Sequence, residues 1–149
     1  NFIHWLAHTA SHGGNLEIAM DSASDEVFAW FRKELLPLGA WMRQNGEAIY
    51  DTRPWVAGVP QMSSASGIPV RFTTKNKVLY AVLLDKPPAR VVLPKLQAPV
   101  GVEITLLGNG GPLGWKNTAR GLVIDNPTSR LPGAFAYAYR ISPAPELIK

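Results

Sequence analysis

The chain contains no cysteine, which excludes disulfide frameworks, thiolate metal sites and a thiol nucleophile. No apolar run approaches the roughly 18 residues of a bilayer-crossing helix, so no membrane span is expected. Charged residues make up only 17% of its 149 positions while 46% are apolar, the balance of a chain that buries a core rather than of a disordered tail. A basic tract is missing too. Residues 1–60 carry four Lys/Arg against seven Asp/Glu, and residues 61–149 carry eleven against four. The cations of the second part (Arg71, Lys75, Lys86, Lys95, Arg120, Arg130, Arg140) are nevertheless single and dispersed, the pattern of a solvated surface, so no nucleic-acid partner is expected. The opening Asn1-Phe2-Ile3-His4-Trp5-Leu6 has no initiator Met, no basic n-region and no small-residue cleavage motif, unlike a signal peptide. It reads as a chain joined partway through an element, and a fragment, a processed chain or one half of a split protein is expected.

Turn formers are abundant, with 13 Gly and 13 Pro. The first third reads as helix, strand, helix. Phe2, Leu6 and Ala10 share a stripe that stops at Gly13-Gly14, a usual helix end. Asn15–Met20 suits a short strand. Ser22, with Asp25 three residues on, then resembles a capping box for a helix over 22–44 whose Val27, Phe31, Leu35, Leu38 and Met42 fall on one face. Pro37 lies inside it, where a kink is expected, and Asn45-Gly46 ends it. An α–β–α order with one short strand is a piece of an α/β fold, and the rest of its sheet must lie elsewhere.

From Ile68 the period changes. Ile68–Lys75 alternates, Asn76 marks a tight turn, and Val78–Leu84 is apolar on both faces, as an interior strand would be. Ala89–Leu93, Val102–Leu107, Leu122–Asp125 and Ala134–Ile141 continue the series between turn clusters such as Lys86-Pro87-Pro88 and Gly108–Pro112. Six or more short strands at this spacing predict an antiparallel β-sandwich. The boundary is placed between Trp55 and Ser66.

Few residues invite chemistry. His4, His8 and His12 recur at the i, i+4 spacing of a shared metal, but no carboxylate supports them and a polar outer helix face is the expected reading. Gly108–Gly111 lacks the strand–loop–helix setting of a phosphate loop and is expected to be a hairpin turn. Trp30, Trp41, Trp55 and Trp115 are expected to be buried rather than to stack on a sugar. Glu17 stands out. Alternation places it opposite Leu16, Ile18 and Met20, and a carboxylate in a covered strand is costly unless hydrogen-bonded or facing a polar lumen, as inside a barrel.

The eleven residues Asn45-Gly46-Glu47-Ala48-Ile49-Tyr50-Asp51-Thr52-Arg53-Pro54-Trp55 resemble the NGEAIY-x-TRPW stretch of the family 29 glycoside hydrolases, the α-L-fucosidases. Gly13-Gly14-Asn15-Leu16 is similar to the GGNLLLN strand that closes that family's barrel. Leu35–Met42 resembles the helix after it, and Val70–Lys75 with Leu79-Tyr80-Ala81 resembles the VRFTxK…LYA hairpin of its C-terminal domain. The resemblance implies an α/β barrel remnant, the last helix–strand–helix of a (β/α)8-like catalytic barrel at residues 1–53, followed by an all-β antiparallel β-sandwich at 54–149. It implies a retaining glycosidase that removes terminal α-L-fucose from fucosylated glycans with two carboxylates and no cofactor or metal. It also implies a secreted, periplasmic or lysosomal setting, and the upstream barrel segment as partner; homo-oligomerisation is left open.

The family's catalytic carboxylates lie upstream of the matching region, so no catalytic residue is assigned to this chain. Ala19-Met20-Asp21-Ser22 departs from the family's Val/Ile-Gly-Pro continuation, which alters the loop above the last strand. Glu17 in the lumen and Asp21 at the rim are the residues expected near substrate. Four residues apart, they would be separated by about 13 Å along a strand, too far for a retaining pair. Two alternatives stand beside this reading: a non-catalytic carbohydrate-binding or structural sandwich module, and a related glycosidase of altered sugar specificity.

Overall fold

The computed structural model describes residues 1–20, 24–55, 61–127 and 131–148. Among these described residues, two helices come first, α1 (Phe2–Ser11) and α2 (Asp25–Asn45), followed by a 3-10 turn, Gly46–Ala48. The described residues then form short strands: β1 (Arg53–Pro54), β2 (Gln61–Ser63), β3 (Pro69–Lys75), β4 (Val78–Leu83), β5 (Arg90–Leu93), β6 (Leu96–Gln97), β7 (Glu103–Leu106), β8 (Trp115–Thr118), β9 (Gly121–Asp125), β10 (Tyr137–Ser142) and β11 (Glu146–Leu147).

The largest sheet has the order β1-β3-β4-β10-β7, with β2 also pairing along β3. A second sheet runs β5-β9-β8, and β6 pairs with β11. The strand pairs are antiparallel. The β3–β4 hairpin turns on Asn76 and Lys77, with φ of 51° and 62°, the left-handed pair that a two-residue turn matched to strand twist requires.

Side-chain alternation divides the interior into two cores. Val70 and Phe72 of β3, Leu79, Ala81 and Leu83 of β4, Ile104 and Leu106 of β7, and Tyr137, Tyr139 and Ile141 of β10 face the second sheet. There they meet Val91, Leu93, Leu122 and Ile124. The opposite face of the large sheet presents Val78, Tyr80, Val82, Leu84, Ala136 and Ala138, packed under Ile3 and Ala7 of α1 and Trp41 of α2. The large sheet is thus an inner layer, with helices on one side and a three-stranded sheet on the other.

Sequence and structure part company in the first third. Asn15–Met20 forms no strand, because a strand needs a hydrogen-bonded neighbour and none of the described strands runs beside it. Helix α2 starts later than expected: its N-cap is Ser24, whose hydroxyl accepts from Val27 N at 3.3 Å, while Ser22 lies outside the described residues. The helix runs on through Pro37. Its expected apolar face is only part-covered, with Leu38 and Met42 packed on the helix–sheet core and Leu35 38% exposed. Gly108–Gly111 does turn the chain back on β7, with Thr105 bridged antiparallel to Pro112 and Leu113 N donating to Ile104 O at 2.7 Å, before β8 joins the other sheet.

At Gly121 the chain has φ of +125°, and an added Cβ would press on the carbonyl oxygen of Leu93 in the neighbouring β5. Gly121→Ala should therefore lower stability by at least about 1 kcal/mol, read from the midpoint of urea unfolding. Phe72→Ala, emptying a fully buried site, should cost about 3–5 kcal/mol in the same measurement.

Candidate functional site

The eleven-residue segment 45–55 turns out to be a structural joint. Asn45 ends α2 wholly buried, its Nδ2 donating to Trp41 O at 3.1 Å. Trp41 Nε1 crosses to the sheet and donates to Ala136 O at 2.8 Å. Ala48, also wholly buried, offers its carbonyl to Thr73 Oγ1 at 2.6 Å. Glu47 pairs with Arg140 at 3.4 Å, and Asp51 lies 3.9 Å from Lys75, whose Nζ also donates to Tyr50 O. Burial beneath this joint, reinforced by the Glu47 carboxylate, holds the Tyr80 hydroxyl above its usual pKa. The segment finishes in β1, paired to the far end of β3, and Trp55 packs on Phe72 with ring centroids 5.2 Å apart. The Trp41, Glu47 and Ala48 contacts hold the end of α2 to the large sheet, whereas Asn45 Oδ1 is buried with no hydrogen-bond partner among the described residues.

Glu17 sits on the irregular connection between the helices and is exposed. It lines a groove of about 210 Å³ with Phe2, Trp5, Ile18, Trp30 and Phe31. Asp21 lies outside the described residues, so no geometry joins it to Glu17. Other carboxylates have local duties. Asp25 and Glu26 occupy the first turn of α2, where the helix dipole favours them. Asp85 accepts from Lys86 N, and Asp125 pairs with Arg90 at 2.7 Å. Among the described residues, no group of three or more His, Asp or Glu is placed to hold a metal.

The aromatic expectations divide. Trp41 is buried, and Trp55 and Trp115 are half-buried against the sandwich core. Trp30 is 51% exposed and, with the 55% exposed Trp5, flanks Phe2 at ring distances of 5.8 and 5.4 Å. Phe28 and Leu36 add to this uncovered apolar surface at 49% and 66% exposure. The histidines do more than form a polar outer face: His4 Nε2 donates to Phe135 O at 2.8 Å, and His8 meets Arg71 of β3. No sequence spacing announces these contacts, because the partners lie 131 and 63 residues away.

A family model for the alpha-L-fucosidase C-terminal domain matches residues 65–142, the stretch that builds most of both sheets. The chain belongs to the alpha-L-fucosidase family. An alpha-L-fucosidase of Branchiostoma floridae is 32% identical over 142 residues, which cover 91% of this chain and 31% of that protein. The tissue alpha-L-fucosidase of Homo sapiens is 31% identical over 145 residues, 92% of this chain and 30% of its own. The crystal structure of the Thermotoga maritima alpha-fucosidase superposes with a TM-score of 0.80 at 25% identity, covering 94% of this chain and 33% of that one. The chain therefore spans about a third of the length of the relatives it matches. The likeness includes the helical third as well as the sheets.

Exposed, and without a hydrogen-bond or ion-pair partner among the described residues, Glu17 should be dispensable for folding of this chain. Glu17→Gln should shift unfolding stability by no more than about 0.5 kcal/mol, measured by urea denaturation.

Proposed function

We propose that these 149 residues are the C-terminal part of a retaining α-L-fucosidase that removes terminal α-L-fucose from glycans. In this reading, residues 1–53 are the last helix–strand–helix of a (β/α)8-like catalytic barrel, and residues 54–149 are the sandwich that buttresses it. The observation that carries it is the apolar surface left on α1 and α2. Trp5, Phe28, Trp30, Leu35 and Leu36 stand exposed on helices whose other sides are packed on the sheet, and an apolar surface of this kind marks a missing partner. The partner is the upstream barrel segment. The relatives extend well beyond the matching region, leaving chain enough for it. Asn15–Met20 would then gain the strand neighbours it lacks here.

The chemistry follows from that assignment. A related fucosidase of Bacteroides thetaiotaomicron is known as a trapped covalent intermediate, which is the route of a retaining glycosidase. One carboxylate attacks the anomeric carbon while a second protonates the leaving oxygen; water then releases the sugar, with the second group acting as base. Both groups would come from the upstream segment. Glu17, on the lumen-facing strand that Asn15–Met20 would form beside the upstream segment, and Asp21, at its rim, would contact the sugar or its leaving group without reacting.

Two experiments check this. The 149-residue chain alone should not hydrolyse an aryl α-L-fucoside, and activity should appear when the upstream segment is supplied; hydrolysis by the isolated chain, lost in Glu17→Gln, would overturn the assignment. Leu36→Ala should change the stability of the isolated chain by less than about 0.5 kcal/mol, yet cost the full-length enzyme about 2–5 kcal/mol because the site is covered there. Equal effects in both would show that the barrel does not lie on this face.

A further inference from the structure

Three histidines lie one turn apart on α1, and their ring nitrogens do different things. His4 Nε2 faces the Phe135 carbonyl at 2.8 Å and must donate to it. The Ser11 hydroxyl is spent on His8 O at 2.7 Å, so His12 Nδ1, 2.8 Å from the same carbonyl and 3.1 Å from Ser11 Oγ, must also carry a hydrogen. His8 is the reverse. Its Nδ1 stands 3.1 Å from Arg71 Nε, and a guanidinium is always a donor. His8 Nδ1 is therefore a lone-pair acceptor, and the ring is neutral with its hydrogen on Nε2. Protonation of His8 removes the acceptor in this bond and sets a cation against Arg71.

The surroundings raise that penalty. The His12 ring lies 4.3 Å from the His8 ring. On β3, Arg71 spends Nη1 on Val70 O at 3.2 Å. On β1, Arg53 donates to Thr52 O. From α2, Lys33 and Glu34 approach Asn1 and Ile3, at the other end of α1. Burial first, then the neighbouring His12 and the Arg71 guanidinium, hold the His8 pKa below its usual value.

We propose that the Arg71–His8 contact is an acid-released latch, holding α1 on β3 while His8 is neutral and letting go when His8 takes a proton. The direction follows from linkage. Undocked, His8 takes a proton near its ordinary pKa of about 6.5; docked, it resists. The open state binds more protons, so docking is fully favourable above about 6.5 and weakens as pH falls through the lowered value. The latch is local, because the sandwich core has no part in it.

Hydrogen exchange on the full-length protein tests this. After correction for the intrinsic pH dependence of exchange, α1 amides should lose protection between about pH 7.5 and pH 5, and β4 amides should keep theirs. His8→Gln, which keeps an acceptor oxygen and does not titrate, should hold α1 protected at both values. His12→Gln removes the opposing charge and should move the release midpoint to higher pH. Arg71→Gln should leave α1 equally exposed at both. Protection of α1 that ignores pH, a His8→Gln protein that still opens in acid, a midpoint unmoved in His12→Gln, or loss in β4 in step with α1 would each overturn the proposal.

Discussion

Everything in this structure answers to one strand that must be dry on both sides. All six residues of Val78–Leu83 are buried. A strand of this kind forces a three-layer answer, because its alternate side chains need apolar cover above and below the sheet. The three-stranded sheet supplies one cover and the helices the other. The polar bonds from Trp41 and Thr73 then do what hydrophobic contact alone does not: they fix where α2 sits over the sheet, since each buried donor is satisfied in one placement.

That constraint explains which parts of the fold could be read from the sequence. Val78–Leu84 is apolar throughout, and its reading as an interior strand is correct because burial on both faces leaves a signature within seven consecutive residues. The last strand shows the same logic: Tyr137, Tyr139 and Ile141 enter the sandwich core while Ala136 and Ala138 lie under the helices. Phe135, which the alternation places with the tyrosines, is instead 50% exposed. It precedes the strand with φ of 72°, and a left-handed residue breaks the period that alternation assumes. The short strands Arg53–Pro54, Leu96–Gln97 and Glu146–Leu147 have two residues each, too few for any period to show. Asn15–Met20 errs the other way: its pattern suits a strand, but pairing depends on neighbours that local sequence does not encode.

The candidate site was less legible for the same reason. Residues 45–55 could be matched to a family by their identities, yet nothing in their order says that Glu47 reaches Arg140 or that Ala48 O receives the Thr73 hydroxyl. The histidine spacing suggested either a metal pair or a plain polar face. What separates these from the observed contacts is a guanidinium arriving from β3, and a helical period carries no trace of it.

The five tryptophans are also distributed so as to make the chain its own optical reporter. Trp5 and Trp30 emit from the uncovered helical surface, whereas Trp41 is sealed between α2 and the sheet. Any surface laid over the helices would strip water from the first two indoles and leave the third unchanged. Their emission would move to shorter wavelength on assembly without an added label.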